Sequence, residues 1–271
     1  MASNNAGDGP GGGKSTVQSD AAETPMQKAG GGLLETLRTI IYAVLIALVV
    51  RTVAYEPFNI PSGSMIPTLL VGDYLFVSKF SYGYSRYSLP FGLPLFKGRA
   101  METPPTRGDV AVFKLPTDNS TDYIKRVIGL PGDRLQVTKG HLHINGKPVQ
   151  KQRIEDFSLR SPLGGIRKVA QYLETLPNGA SYRVIEADTD FGSMDNTREY
   201  TVPKGHYFVM GDNRDNSLDS RALNHVGFVP IANFVGRAQF LFFSTDGSAR
   251  IWEVWKWPFS VRYGRLFNGI D

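Results

Sequence analysis

Three short segments of this 271-residue chain combine side chains that could carry chemistry with residues that restrict the backbone. In the first, 57–69, three prolines fix φ and Gly63 permits unusual backbone geometry. A rigid, exposed turn that presents Ser62 and Ser64 would suit an oxyanion-binding site. For this segment alone, an ordinary loop rich in Ser and Pro is the alternative.

The second segment, 122–133, places Lys125 among apolar, strand-forming residues. Because burial of a charged amine is unfavourable, such a lysine tends to lose its proton and can then act as a general base. At the reference pKa of about 10.4, roughly one lysine in 2,500 is neutral at pH 7. A pKa of about 8 makes roughly one in ten neutral, at a cost of ~3.3 kcal/mol of differential desolvation. The alternative is a surface lysine that reaches solvent beside Arg126.

The third segment, 211–221, is dense in Asp, Asn and Ser, whose side chains bond to nearby backbone, and is therefore predicted to be a loop. Its spacing does not match the calcium-binding EF-hand loop, and no Glu closes it. We predict instead a lattice of Asp/Arg pairs and Ser hydroxyls that could hold a neighbouring lysine in position.

The composition argues against several other kinds of site. The chain has no Cys, which excludes a Cys nucleophile, a thiolate metal site and a disulfide framework. Its four histidines lie beside no Gly-x-Ser-x-Gly turn, and His141 and His143 share a strand face without a third ligand, so no metal site is predicted. The net charge of +5 comes without a dense Lys/Arg run, so no nucleic-acid partner is predicted.

The apolar run 33–55 precedes all three segments and could anchor the chain in a membrane. Its charge-free part is shorter than the ~20 residues that span a bilayer, but Arg38 and Arg51 can extend their side chains to the interface. A signal-peptide core or a buried helix would fit as well. Since no small-x-small site follows, we favour one retained transmembrane helix. The Gly-rich stretch 1–32 is predicted to be a disordered tail.

From position 57 onward the pattern predicts a mainly β fold. Short runs rich in β-branched and aromatic residues, punctuated by Gly, Pro and Asp, occur at 73–78, 108–113 and 207–210. Residues 135–146 read as strand, turn, strand and turn. The stretch 140–200 is more polar and irregular, as an insertion in a β domain would be.

The C-terminal segment, 251–271, interleaves aromatic with cationic side chains and contains all three tryptophans of the chain. Such a mixture suits a membrane–water interface. A final strand and tail that pack on the body of the protein would use aromatic residues equally well.

Together the motifs resemble the bacterial type I signal peptidase (leader peptidase) family, and they occur in that family's order. They cover much of 55–135 and 203–240. The matching segments are Ile60-Pro-Ser-Gly-Ser-Met-Ile-Pro-Thr-Leu, Gly72-Asp73, Tyr123-Ile-Lys-Arg, Gly129-Leu-Pro-Gly-Asp133 and Gly211-Asp-Asn-Arg-Asp-Asn-Ser.

The resemblance implies a serine endopeptidase that removes signal peptides from exported preproteins through an acyl-enzyme. Ser64 would be the nucleophile and Lys125 the general base. The Ser62 hydroxyl and the Ser64 N–H would form the oxyanion hole. Ser217 would hydrogen-bond the Lys125 amine, and the residues bracing that loop would be Asp219 and Arg221.

Family substrates carry small residues at the first and third positions before the cut, as in Ala-x-Ala. A large side chain would have no room, and the substrate strand would pair with edges near 58–60 and 122–124. The residues expected to bind substrate are Phe58, Ile60, Met65, Leu69, Leu75, Val112, Asp122, Tyr123 and Ile124.

The resemblance also implies a domain order and a location. A catalytic β core, 56–133 and 204–250, would carry an inserted β domain, 134–203. The helix would cross the bacterial inner membrane once and leave the catalytic domain on the periplasmic side. Expected partners are preproteins and membrane lipid, and no metal or organic cofactor is implied. Some members have two spans, or a disulfide in the insertion, and neither is found in this sequence.

Two alternatives to a signal peptidase remain open, one with a different substrate and one that belongs to a different functional class. One is a specialised Ser/Lys maturation protease for a single secretion or conjugation component. The other is a membrane-anchored module that binds peptides in the same groove without cleaving them. Loss of Ser64 or Lys125 would indicate the module, and both residues are present.

Overall fold

The computed structural model describes residues 32–88, 98–160, 165–186, 194–250 and 252–270. The chain forms two compact units, 1–44 and 45–271. The predicted disordered tail lies outside the described residues apart from Gly32.

Helix α1, Leu33–Val53, accounts for most of the predicted anchor. Its 21 residues are long and apolar enough to cross a membrane, judged by length and composition. None of them is buried among the described residues, as is typical of a membrane-spanning helix and not of a buried core helix. The fold is otherwise mainly β, as predicted. The short helix α2 spans Trp257–Ser260.

A seven-stranded sheet in the order β1-β2-β16-β5-β6-β14-β15 forms the centre of the unit 45–271. Its apolar runs face into the protein, and Val110–Phe113 is buried throughout. Strands predicted at 73–78, 108–113 and 207–210 are all confirmed within two residues. With strands numbered in chain order, the sheet contains β1 (Tyr55–Asn59), β2 (Asp73–Ser78), β5 (Val110–Lys114), β6 (Asp122–Gly129), β14 (His206–Met210), β15 (Val229–Pro230) and β16 (Phe234–Ser244).

The smaller sheets come mostly from the predicted insertion, and their strands belong to the same compact unit as the large sheet. One has the order β13-β7-β8-β9 and another β10-β11-β12, while β3 pairs with β4. The strands are β3 (Tyr84–Ser85), β4 (Arg99–Ala100), β7 (Arg134–Thr138), β8 (His141–Ile144), β9 (Lys147–Pro148), β10 (Gln150–Arg160), β11 (Ile166–Thr175), β12 (Ser181–Glu186) and β13 (Tyr200–Thr201).

The predicted strand–turn–strand–turn at 135–146 is confirmed by β7, β8 and β9. Both turns have two consecutive residues at positive φ, with Lys139 and Asn145 at 48° and 54° followed by Gly140 and Gly146 at 70° and 78°. Positive φ at both central positions is typical of the tight turns that match strand twist. Leu135 of β7 packs in one hydrophobic cluster with residues of the large sheet, so the insertion and the large sheet share a core.

The C-terminal segment packs on the body along part of its length. Phe267 N donates to the Leu241 carbonyl, and the Trp257 ring packs at a tilt against Phe243 with ring centroids 4.8 Å apart. Two tryptophans nevertheless stay exposed, Trp252 at 62% and Trp255 at 69%. Packing therefore accounts for the end of the segment but not for its exposed rings.

Candidate active site

Ser64 lies in the turn that joins β1 to β2, and it is more enclosed than the sequence predicted. Met65 and Leu69 are fully buried in the core, and they draw the backbone of this turn inward. Ser64 is consequently only 8% exposed, whereas Ser62 stays exposed as expected. The expectation of an exposed turn is thus wrong for Ser64.

Lys125 is on β6 and reaches Ser64 from 61 positions away in the sequence. Its Nζ lies 2.7 Å from Ser64 Oγ and 3.0 Å from the carbonyl oxygen of Ile124. The side chain is buried, with 4% of the residue exposed, which excludes the surface-lysine alternative. A hydroxyl and an amine at this distance can exchange a proton directly.

The surroundings of Lys125 favour its neutral form. Burial lowers the pKa of Lys125 from 10.5 to about 8, although the carboxylates of Asp219 and Asp212 act in the opposite direction. Desolvation penalises the charged amine more than the two carboxylates stabilise it. At a pKa of about 8, roughly one amine in ten is neutral at pH 7.

Two hydrogen-bond donors lie close to the Ser64 hydroxyl. Ser62 Oγ is 3.5 Å from Ser64 Oγ. The Ser64 N–H has no hydrogen-bond acceptor among the residues that the structure describes. Asn213 fixes the backbone of the turn, since its N–H donates to the Ser64 carbonyl at 3.1 Å and its side chain to the Gly63 carbonyl at 2.9 Å. These donors could stabilise negative charge on a substrate oxygen.

The loop 211–221 forms the Asp/Arg lattice that its composition predicted. The Asp219 carboxylate is buried and accepts two hydrogen bonds from the Arg221 guanidinium at 2.9 Å and one from the Gly211 N–H at 3.0 Å. Burial alone would raise the pKa of Asp219, but Arg221 outweighs it and keeps this pKa below the usual range. Asp219 therefore stays charged near Lys125.

Ser217 does not make the hydrogen bond to Lys125 that the family resemblance implied. The Lys125 amine instead bonds Ser64 and the Ile124 carbonyl. Ser217 Oγ is buried and has no hydrogen bond of ordinary geometry to a described residue, although it is close enough to Asp219 to lower the pKa of that carboxyl. The Ser217 hydroxyl lies against the backbone of Gly211, where an added Cβ would come within 2.2 Å of its oxygen.

A buried ion pair beside the base was not predicted from the sequence. Arg126 follows Lys125 on β6, and its guanidinium donates two hydrogen bonds of 2.9 Å to the carboxylate of Asp212. Both side chains are 1% exposed. The pair ties β6 to the start of the loop 211–221. The sequence did contain a signal for this pair, the Lys-Arg dipeptide at 125–126. Successive residues of a strand point to opposite faces, so the two cations must have separate partners on the two sides of the sheet.

We expect Asp212→Asn to destabilise the protein by about 3–5 kcal/mol, because it leaves the buried Arg126 guanidinium without a counter-charge. The free energy of unfolding can be measured by urea denaturation of the full chain in detergent. Glu253→Gln is the control, since it breaks a half-exposed pair with Lys256. That control is expected to cost far less, because a solvent-screened pair contributes little to stability. Equal losses in the two variants would contradict the prediction.

A groove of about 510 Å³ opens beside Ser64 and Lys125. Much of its lining was predicted, namely Phe58, Ile60, Val112, Asp122, Tyr123 and Ile124. Three residues expected to line it, Met65, Leu69 and Leu75, are fully buried and pack against Phe58 and Ile124 from within the core. They support the groove but do not line it.

Four further residues line the groove that were not among the side chains expected to bind substrate: Asn59, Pro61, Asn216 and Leu218. Leu218 is 41% exposed, and an exposed leucine inside a polar loop was a usable signal. No group of acidic, His or Cys side chains that could hold a metal ion occurs in the described part of the chain. The groove is thus lined by apolar and neutral polar side chains, with the Ser64–Lys125 pair and Asp122.

The chain is similar to known proteins along most of its length. The family model described as "Signal peptidase, peptidase S26" matches residues 33–243. A signal peptidase I from Rickettsia typhi is 42% identical over 245 residues, which are 84% of this chain and 90% of that protein. One from Rickettsia canadensis is 41% identical over 249 residues, 86% of this chain and 92% of that protein. A crystal structure of a signal peptidase I from Enterococcus faecalis V583 aligns with 50% of this chain and 97% of its own, at 26% identity and a TM-score of 0.28.

Proposed function

Since the chain belongs to the signal peptidase family, peptidase S26, and is a protease that removes signal peptides, we propose that it cuts preproteins after Ala-x-Ala-type sites with a dyad of Ser64 and Lys125. The observation that carries this proposal is the 2.7 Å separation of Lys125 Nζ and Ser64 Oγ beside an open groove. The burial that lowers the pKa of Lys125 to about 8 supports it as well.

In the first half of the reaction, the neutral amine of Lys125 accepts the Ser64 proton as Oγ attacks the carbonyl carbon of the scissile bond. The substrate oxygen becomes negative and accepts hydrogen bonds from the Ser62 hydroxyl and the Ser64 N–H. Such donors are worth about 2.7–4 kcal/mol each in comparable sites. The Lys125 ammonium then protonates the leaving amine, and the signal peptide stays bound to Ser64 as an ester.

In the second half, Lys125 is neutral again and accepts a proton from the attacking water. The water oxygen bonds to the ester carbon, and the Ser64 oxygen leaves with the proton that Lys125 returns. Each half of the reaction starts from the neutral amine of Lys125. This agrees with surroundings in which desolvation disfavours the charged form of that amine. Asp219 and Asp212 stabilise the ammonium that forms in between.

We propose that substrate binds as an extended strand between two sheet edges. Residues Tyr55–Asn59 of β1 pair only with β2 in the described structure. On β6, residues 122–125 pair with β5 on one side, whereas pairing with β14 on the other side involves only Arg126–Gly129. Both free edges border the groove. Main-chain pairing would supply affinity, and the confined apolar walls would admit only small side chains.

Cleavage should depend on pH through the ionisation of Lys125. Only the neutral amine can accept the Ser64 proton, so kcat/KM is expected to rise with pH, reach half of its maximum near the pKa of about 8, and then level off. Initial rates with a peptide substrate between about pH 6 and about pH 10 measure this curve. A flat profile would contradict the role of Lys125 as the base, and a midpoint at the ordinary lysine pKa would contradict the lowering of its pKa by burial.

The proposed function is tested by cleavage of a purified precursor whose signal peptide ends in Ala-x-Ala. The full chain in detergent is expected to cut directly after the second alanine, as read by mass spectrometry of the product. A precursor with Phe at that position is the matched control and should resist cleavage. Failure to cut either precursor, or equal cleavage of both, would contradict the proposal. Cleavage of one natural precursor out of many would point to a specialised maturation protease.

We also propose that α1 anchors the chain in the bacterial inner membrane, with the part of the chain from residue 56 onward on the periplasmic side. The length and apolar composition of α1 support the anchor, and export of the substrates supports the orientation. The exposed rings of Trp252, Trp255 and Phe259 would meet the membrane–water interface. Protease added to intact spheroplasts should digest the part of the chain from residue 56 onward, and protection of this part would contradict the orientation.

A further inference from the structure

A carboxylate from the inserted sheet β10-β11-β12 is buried against the loop 211–221. Glu174, on β11, is fully buried and accepts a hydrogen bond of 2.6 Å from one terminal nitrogen of Arg214 and a second from the other. Tyr182 on β12 donates its hydroxyl to the same carboxylate at 2.9 Å. The proximity of Arg214 outweighs burial and holds the pKa of Glu174 below its usual range, so the group stays ionised.

Arg214 continues this contact toward the base. Its carbonyl oxygen accepts a hydrogen bond of 2.6 Å from the guanidinium of Arg221, and its Nε donates to the Gly211 carbonyl. Arg221 in turn holds the carboxylate of Asp219. Asp219 acts electrostatically on the amine of Lys125. A displacement of Arg214 would therefore move the groups that surround the base.

Tyr182 makes a second connection, to the residue that follows the base on β6. Its ring lies 4.2 Å from the guanidinium carbon of Arg126, in a cation–π contact. Arg126 is the partner of Asp212, and the Asp212 carbonyl accepts a hydrogen bond of 2.9 Å from the N–H of Ile185 on β12. The inserted sheet thus contacts the loop 211–221 at both its beginning and its middle.

The same sheet packs on the turn of the nucleophile. Ile66, two residues after Ser64, lies in a hydrophobic cluster with Val169 of β11 and Ile185 of β12. Ile185 also forms a parallel bridge with Asn213, the residue that fixes the Ser64 turn. One sheet therefore braces both the turn with the nucleophile and the loop beside the base.

We propose that Glu174, assisted by Tyr182, is a positioning residue: by orienting Arg214 it keeps the loop 211–221 in the arrangement in which Lys125 can deprotonate Ser64. This inference rests on the proposed function and gives the inserted sheet a role in it. A buried ion pair adds little stability compared with apolar residues of similar volume, but a bidentate Arg–carboxylate contact fixes orientation. Neither Glu174 nor Tyr182 lines the groove.

Glu174→Gln is the primary test, in the full chain with a peptide substrate. We expect kcat to fall by about tenfold or more while KM stays within about twofold, because the variant disturbs the base and not the groove. Glu186→Gln is the matched control. Glu186 is 8% exposed on β12 and pairs at 2.6 Å with Lys151, which also bonds the Gly140 carbonyl. Glu186 acts on Arg214 by charge, but unlike Glu174 it makes no hydrogen bond to the loop 211–221 among the described residues. Both variants remove one carboxylate of a buried pair in the same sheet, and only the first should lower kcat.

An unchanged kcat in folded Glu174→Gln, or an equal loss in both variants, would overturn the inference. If Glu174→Gln does not fold, Tyr182→Phe decides, because it removes a hydroxyl without leaving a charge unpaired. A lower kcat at constant KM in that variant supports the inference, and an unchanged kcat overturns it. Wild-type chain is assayed first. Absence of cleavage there would refute the proposed function, and the inference with it, whereas wild-type cleavage isolates the role of Glu174.

Discussion

Lys125→Arg is expected to abolish cleavage, with a loss of about 10⁴-fold or more in kcat/KM. The substitution keeps a cation at the same position but replaces an amine that can lose its proton with a guanidinium that cannot. The Lys125 amine is buried, and its pKa is lowered to about 8, so a neutral fraction exists at pH 7. With Arg in its place, no base would remain within reach of Ser64 Oγ among the residues that the structure describes.

The control for this variant is Lys79→Arg, because the chain offers a second buried lysine outside the groove. Lys79 is 3% exposed and bonds Glu56 and the Ser88 carbonyl. Its replacement tests the cost of fitting a guanidinium into a buried lysine site without touching the reaction. We expect cleavage close to the wild-type rate. Turnover by Lys125→Arg within about tenfold of wild type would refute Lys125 as the base.

Ser64→Ala is expected to remove cleavage to a similar extent, about 10⁴-fold or more, while peptide binding persists. The variant lacks the oxygen that would form the ester, yet the groove walls, including Phe58 and Ile124, remain in place. Cleavage of the precursor and fluorescence binding of a labelled signal peptide would be measured on the same preparation. If Ser64→Ala binds the peptide but does not cut the precursor, then cleavage by the wild-type chain depends on Ser64 and does not come from a contaminating enzyme.

Ser62→Ala provides the graded control for the nucleophile. It removes one proposed donor to the substrate oxygen but leaves Ser64 and Lys125 in contact, so a loss of about 10²–10³ in kcat is expected. Equal cleavage by wild type and Ser64→Ala would mean that the reaction occurs elsewhere. Binding without cleavage by the wild-type chain would support the peptide-binding module instead.

The sequence was informative about this site where a residue's role depends on its close neighbours. The burial of Lys125 could be predicted because the lysine lies within a strand of mostly apolar residues. The turns at Lys139-Gly140 and Asn145-Gly146 could be predicted for the same reason, since the two residues of each turn determine its geometry.

Features that depend on distant parts of the chain could not be predicted in the same way. Ser64 is buried because Met65 and Leu69 pack into a core built by strands far along the chain. The same packing explains why these two apolar residues do not reach the groove. The contact between Glu174 and Arg214 joins positions 40 residues apart, and nothing in either local pattern indicates the other. Hydrophobic patterning gives the inward face of a strand but not its partner across the core.

Pairing of the substrate with the edges of β1 and β6, as proposed above, would impose a conformational filter on substrates in addition to the proposed filter on side-chain size. A peptide that pairs with an edge must offer its own backbone groups, and a helix has already used them internally. We therefore expect the residues just before the cut to unwind from any helix before they can bind. For the same reason, a mature protein whose first residues are already folded would not bind at these edges. Pro57, which has no N–H, sits on the β1 edge and reduces its ability to pair with strands at random.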